Sequence, residues 1–170
     1  MAAFLQRTRR SDPAAGVVVA RKSAEFGRRA TANAVVPAKS IPEKINRGAG
    51  SRHVFDQPHN QRPAAVWNSG GSAYDKISRG IADSIEHCVL RLDPQPGEHI
   101  LDLSTGTGWT SRSVARRGAR VMGVDIAADL VAAAQSTAKA EGLAIEYRIG
   151  DAESLPFADS EFDAVVSRAA

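Results

Sequence analysis

The stretch Ile100-Leu101-Asp102-Leu103-Ser104-Thr105-Gly106-Thr107-Gly108 decides the fold. A short apolar run, His99 to Leu103, carries one acid, passes into small residues and two glycines, and is followed from Trp109 to Arg117 by helical spacing. Strand, tight turn and helix are the parts of an α/β unit. Gly106 and Gly108 lack a Cβ, so the backbone there can turn sharply into the helix and come close to a ligand. The dinucleotide fingerprint G-x-G-x-x-G is incomplete, because Gly106-Thr107-Gly108-Trp109-Thr110-Ser111 puts serine where the third glycine belongs. Asp102, inside the strand end, discriminates further. Its charge would repel a pyrophosphate but suits a ligand bearing ammonium and sulfonium groups.

Toward the C-terminus the pattern repeats. Arg120 to Asp125 reads as a second strand, Ala127 to Glu141 as a helix ended by Gly142, Ile145 to Ile149 as a third strand and Phe162 to Val166 as a fourth. Alternating strands and helices predict a parallel sheet with right-handed crossovers. The expected fold is a Rossmann-like, doubly wound α/β sheet, incomplete at about four strands, in which the third, second, first and fourth strands lie side by side. Its ligand site should lie outside the carboxyl ends of the first strands. Those ends hold Asp102, Asp125 and Asp151. An acid after a strand is commonly a turn former or helix cap, but turn chemistry does not require three at successive strand ends.

These residues resemble a known family. Ile100 to Gly108 looks like motif I of class I S-adenosylmethionine-dependent methyltransferases, in the small-molecule branch that includes the ubiquinone/menaquinone C-methyltransferases. Val121-Met122-Gly123-Val124-Asp125 resembles that family's second-strand acid, Gly150-Asp151-Ala152-Glu153-Ser154-Leu155-Pro156-Phe157 its third-strand segment, and Phe162-Asp163-Ala164-Val165-Val166-Ser167 its fourth strand. The resemblance covers about residues 66 to 168. It implies S-adenosylmethionine as cofactor and a small-molecule methyl acceptor as partner. It also implies that Asp102, Ser104, Thr105, Gly106 and Gly108 hold the methionine end and that Asp125 accepts hydrogen bonds from both ribose hydroxyls. Ile126 would pack on the adenine, Asp151 accept from its amine, the Ala152 N–H donate to a ring nitrogen, and Ser167 reach the methionine moiety. Trp67, Tyr74 and Arg79 fall in the segment that caps the pocket in such proteins. Ser104 stands where many members carry the first glycine. No general base is legible: His53, His59, His87 and His99 sit in the linker, a helix and a strand start.

Toward the N-terminus, apolar residues at 74, 77, 81, 85, 88, 89 and 92 predict one helix, opened by a capping box of Ser72 and Asp75 and stopped by Pro94, Pro96 and Gly97. Tyr74, Ile77, Ile81, Ile85 and Cys88 would share its buried face, making Cys88 a core thiol. Residues 30 to 65 carry Pro37, Pro42, Pro58, Pro63, Gly48 and Gly50 without a period and read as a linker, with order expected from near Trp67. Residues 1–65 are thus expected to be a basic, disordered leader, dispensable for cofactor binding, and 66–170 the N-terminal half of the methyltransferase domain.

Charge divides at the same place, +8 over the first 65 residues and −5 over the last 105. The basic leader has few aromatics to stack bases, which speaks against nucleic-acid binding. It could also serve as an organelle transit peptide. One cysteine excludes an internal disulfide and any multi-cysteine metal site, and no metal is expected. No apolar run is long enough for a membrane span, so a cytoplasmic protein is expected. Because the sequence stops after the fourth strand, that strand is expected to be a bare edge open to self-association. Two rival readings remain: a non-catalytic remnant that binds cofactor or a partner chain, and an NAD-dependent oxidoreductase, the latter disfavoured by Asp102.

Overall fold

The computed structural model describes residues 17–21, 35–37 and 58–168. The rest of the expected leader lies outside the described residues. Four parallel strands form the centre of the sheet: β3 (His99–Leu103), β4 (Arg120–Asp125), β5 (Glu146–Ile149) and β6 (Ala164–Arg168), side by side in the order β5-β4-β3-β6. This is the order expected from the alternating pattern. The expected bare edge is not found. Strand β1 (Val17–Arg21) pairs antiparallel with β6 from Val17 opposite Arg168 to Arg21 opposite Ala164, and β2 (Val35–Pro37) pairs parallel with β1, giving six strands among the described residues. An apolar strand end such as β6 leaves backbone donors and acceptors unpaired unless another strand covers them, and a nearby valine run meets that need.

Among the described residues five helices accompany the sheet: α1 (Gln61–Asn68), α2 (Tyr74–Gly80), α3 (Ala82–Leu92), α4 (Trp109–Ala115) and α5 (Ala128–Ala140). Order therefore begins before Trp67, with a short 3-10 turn at Pro58–Asn60 leading into α1. The single helix expected over 74–92 is two helices, because Ile81 leaves helical geometry at φ −118° and ψ 19°. The break turns Ile77 out to solvent, 56% exposed, while Ile85, Cys88, Val89 and Leu92 stay buried at i, i+3, i+4 and i+7. Cys88 is fully enclosed, and burial pushes its thiol up to about 11, which suits a core residue rather than a nucleophile.

Side chains alternate across the sheet as the pleat requires. On one face Ile100, Val121, Ala164 and Val166 meet α3 and α4 through Leu92, Val89 and Val114. On the other, Leu101, Leu103, Met122 and Val124 pack beneath Phe157 and Phe162, whose rings meet edge to face at 5.0 Å. Each fully buried side chain of this size contributes about 1.5–3 kcal/mol. Asp163, at the foot of β6, ties that strand to its neighbour: its carboxylate accepts from the His99 N–H at 2.9 Å and its own N–H donates to the His99 carbonyl at 2.7 Å.

Candidate functional site

Asp102, Gly123 and Tyr147 stand in one row across β3, β4 and β5, facing the helices. The row explains the glycine. A Cβ on Gly123 would lie 2.5 Å from the Tyr147 ring, so the strand must be bare there for the ring to cross it. The ring runs on beneath the turn, and its hydroxyl occupies the space a Cβ on Gly108 would need. That hydroxyl is buried, faces Ser111 and closes no hydrogen bond of standard geometry, and burial pushes the phenol up to about 12.

Asp102 is 2% exposed. One of its oxygens accepts from Thr105 Oγ1 at 2.8 Å and from Ser111 Oγ at 2.6 Å, and the two hydroxyls lie 2.8 Å from each other. Burial outweighs these bonds and raises the carboxyl to about 6, so the group is still mostly ionised at neutral pH. Above it the chain turns through Ser104 (φ 60°), Gly106 (φ 55°) and Gly108 (φ 78°) into α4. Gly106 and Gly108, on either side of the buried Thr107, take up left-handed backbone.

The turn is held from β4. The Gly106 N–H donates to Asp125 Oδ2 at 2.8 Å, the Ala127 N–H to Asp125 Oδ1 at 2.9 Å, and the Thr105 N–H to the Val124 carbonyl at 3.0 Å. Each Asp125 oxygen therefore already has one donor, and a carboxylate oxygen has room for a second. Burial again raises this carboxyl above its ordinary value. After β5, Asp151 is 3% exposed; its Oδ1 accepts from the Glu153 N–H at 2.8 Å and its Oδ2 from Asn60 Nδ2 at 2.7 Å.

The expected residues are brought together unevenly. Asp102, Ser104, Thr105, Gly106, Gly108 and Asp125 form one continuous turn-and-strand cluster, with Ile126 half-buried at the exit of β4. Asp151 and Ala152 follow β5, and Ser167 lies buried on β6 opposite Leu103. Tyr74 lies against the turn: a Cβ on Gly106 would sit 4.0 Å from its ring, and Trp67 meets it edge to face at 5.7 Å. Arg79 is exposed and pairs at 3.5 Å with Asp75, whose other carboxylate oxygen accepts from Thr107 of the turn.

Three residues of this region were not legible. Asp75 is no helix cap: α2 starts without a side-chain cap, and Asp75 Oδ1 instead accepts from Trp109 Nε1 at 2.6 Å, fastening α2 across the turn. Arg112, 3% exposed, donates to the Thr107 carbonyl at 2.6 Å and pairs with Glu141 at 3.3 Å, fixing the turn from behind. His59, expected in the linker, lies beside the third strand end, 2.9 Å from Glu153. No group of three metal-ligating side chains occurs among the described residues, and none of their helices is long and apolar enough to cross a membrane.

Residues 100–170 match the family described as "Methyltransferase domain". The chain is 30% identical over 127 residues to the ubiquinone/menaquinone biosynthesis C-methyltransferase of Rubrivivax gelatinosus, a match covering 72% of this chain and 49% of that protein. It is 37% identical over 108 residues to the demethylmenaquinone methyltransferase of Thermobifida fusca, covering 60% and 46%. The chain thus spans about half the length of these relatives. Among solved structures it is similar to a SAM-dependent methyltransferase of Methanosarcina mazei, at 32% identity and a TM-score of 0.41, covering 44% of this chain and 38% of that one. Residues 100–170 thus carry a methyltransferase domain, and the chain is similar to class I S-adenosylmethionine-dependent methyltransferases, whose cofactor is S-adenosylmethionine.

Proposed function

We propose that this chain holds S-adenosylmethionine across the carboxyl ends of β3, β4 and β5 and presents its methyl group to a small-molecule acceptor. One observation carries the reading: three buried carboxylates, Asp102, Asp125 and Asp151, stand at the carboxyl ends of successive strands around a turn with left-handed glycines at 106 and 108. Their chemistry fits the cofactor. Asp125 has spare lone pairs for the ribose hydroxyls, and Asp102 keeps negative charge under the turn for the ammonium and sulfonium end. Ile126 is half-buried where an adenine face would pack, Asp151 and the Ala152 N–H offer an acceptor and a donor to the base edge, and Ser167 closes the methionine side from β6. When bound, the cofactor supplies a methyl group on a positively charged sulfur. The chain's own residues orient it and, through Tyr74 and Trp67, exclude water on the turn side, where alignment supplies much of the rate of a displacement.

An apolar or aromatic acceptor is favoured by the exposed Val66, Trp67 and Ile77 on α1 and α2, and by relatives named for demethylmenaquinone and for ubiquinone/menaquinone biosynthesis. The test is calorimetric titration of S-adenosylhomocysteine into the chain, followed by a methyl-transfer assay on quinols, phenols and amines. Asp125→Ala should weaken binding by about 10- to 150-fold, the equivalent of losing 1.5–3 kcal/mol of charge-assisted hydrogen bonding. Asp159→Ala, in an exposed turn, should leave it unchanged. Equal effects of the two substitutions would sink the assignment.

A further inference from the structure

The Pro58–Asn60 turn lies against the residues that follow β5 and is fastened there twice. His59 Nε2 meets Glu153 Oε2 at 2.9 Å, and Asn60 Nδ2 donates to Asp151 Oδ2 at 2.7 Å. The second bond fixes the orientation of the Asn60 amide. A carboxylate oxygen only accepts, so the nitrogen faces Asp151 and the carbonyl oxygen Oδ1 points away from it. Among the described residues no donor meets that oxygen. Two acceptors therefore stand side by side at the third strand end, the Asp151 carboxylate and Asn60 Oδ1. From amide bond lengths Nδ2 and Oδ1 are about 2.2 Å apart, so Oδ1 lies within roughly 5 Å of Asp151 Oδ2 when that distance is added to the bond. A primary aromatic amine, whose two N–H bonds diverge by about 120°, spans two acceptors at that separation when each bond has ordinary length.

We propose that Asn60 is a second reader of the cofactor's adenine 6-amino group, its Oδ1 accepting one N–H while Asp151 accepts the other. The inference rests on the cofactor placement proposed above. It assigns the leader-side turn a specificity role: a 6-oxo purine would set its oxygen against two acceptors and two desolvated lone pairs, which costs binding on both. The exposed His59–Glu153 contact is the second fastening of the turn.

The experiment compares S-adenosylhomocysteine with S-inosylhomocysteine, its 6-oxo counterpart, by calorimetry on the full chain and on Asn60→Ala. The chain as it stands should prefer the amino compound. In Asn60→Ala, affinity for the amino compound should fall about five- to tenfold and affinity for the 6-oxo compound should not fall, so the preference shrinks by at least that factor. The ratio of two affinities from one sample is insensitive to any loss of folded protein. An unchanged ratio would overturn the proposal and leave Asn60 a structural clip. Tighter binding of the amino compound by Asn60→Ala would also overturn it, showing that Asn60 competes with the amine for Asp151. Failure of the unaltered chain to bind S-adenosylhomocysteine at all would remove the cofactor placement itself, a different result from either.

Discussion

Asp102 is enclosed by Thr105 and Ser111, yet its carboxyl is raised from 3.8 to about 6, because desolvation exceeds what two hydroxyls return. The folded chain therefore binds a proton more tightly than the unfolded chain does. Stability from this group is fully present below the unfolded value and is lost as pH rises from about 4 through 6, by about 3 kcal/mol in total. Cofactor affinity should run the opposite way, rising over the same window as Asp102 ionises. Urea unfolding at pH 4.5 and 7.5 tests the first half: the midpoint should fall with pH, and Asp102→Asn should flatten the trend while weakening S-adenosylhomocysteine at pH 7.5 about tenfold. The same slope in both proteins would exclude Asp102 as its source. The acid and the glycines of this turn were legible because strand, turn and helix follow each other directly in sequence. The support from Tyr147 was not, since the row that joins it to Asp102 and Gly123 exists only after three strands have paired.

At the scale of elements, α2 is a short helix that buries Ser78 among its residues and leaves Ile77 in solvent, so packing alone gives it little reason to stay on the turn. Asp75 supplies one. Its carboxylate accepts from Trp109 Nε1 at 2.6 Å and from Thr107 Oγ1 at 3.4 Å, and Arg112 stands 4.0 Å away. Asp75→Ala should cost about 1–3 kcal/mol by leaving the indole N–H and a buried guanidinium short of a partner. It should also shift Trp109 emission to the red and speed hydrogen exchange over 74–80, whereas Asp75→Asn should keep most of the indole bond. Unchanged exchange in the alanine variant would mean that α2 is held by something else. The sequence pattern suggested a capping box here because Asp75 follows Ser72 at the right spacing; the side chain found a stronger donor 34 residues on. The four strands β3 to β6, by contrast, were read within two residues of their observed limits. Short β-branched and apolar runs between glycines and acids leave few other options.

For the molecule as a whole, the unexpected element is β1. Val17 to Ala20 is too short to carry a period, and what makes it a strand is the unpaired side of β6, which no local pattern reveals. Val19 stands opposite Val166 at the middle of that pairing. Val19→Pro should remove a ladder donor and loosen β1. The thermal transition should fall by about 2–4 °C for each kcal/mol lost in a chain of this length, and sedimentation should show concentration-dependent association as the β6 side becomes available. A monomer with an unchanged transition would show that β1 contributes nothing to the sheet.

The pairing of β1 with β6 has a temporal side. Roughly 140 residues separate the two strands, so this contact has a far greater sequence separation than the helix–strand contacts that build the turn. During synthesis at about 5–20 residues per second, β1 leaves the ribosome roughly 7–30 s before its partner exists. The valine run must spend that interval without its place in the sheet, a period in which chaperones rather than the fold determine what it meets.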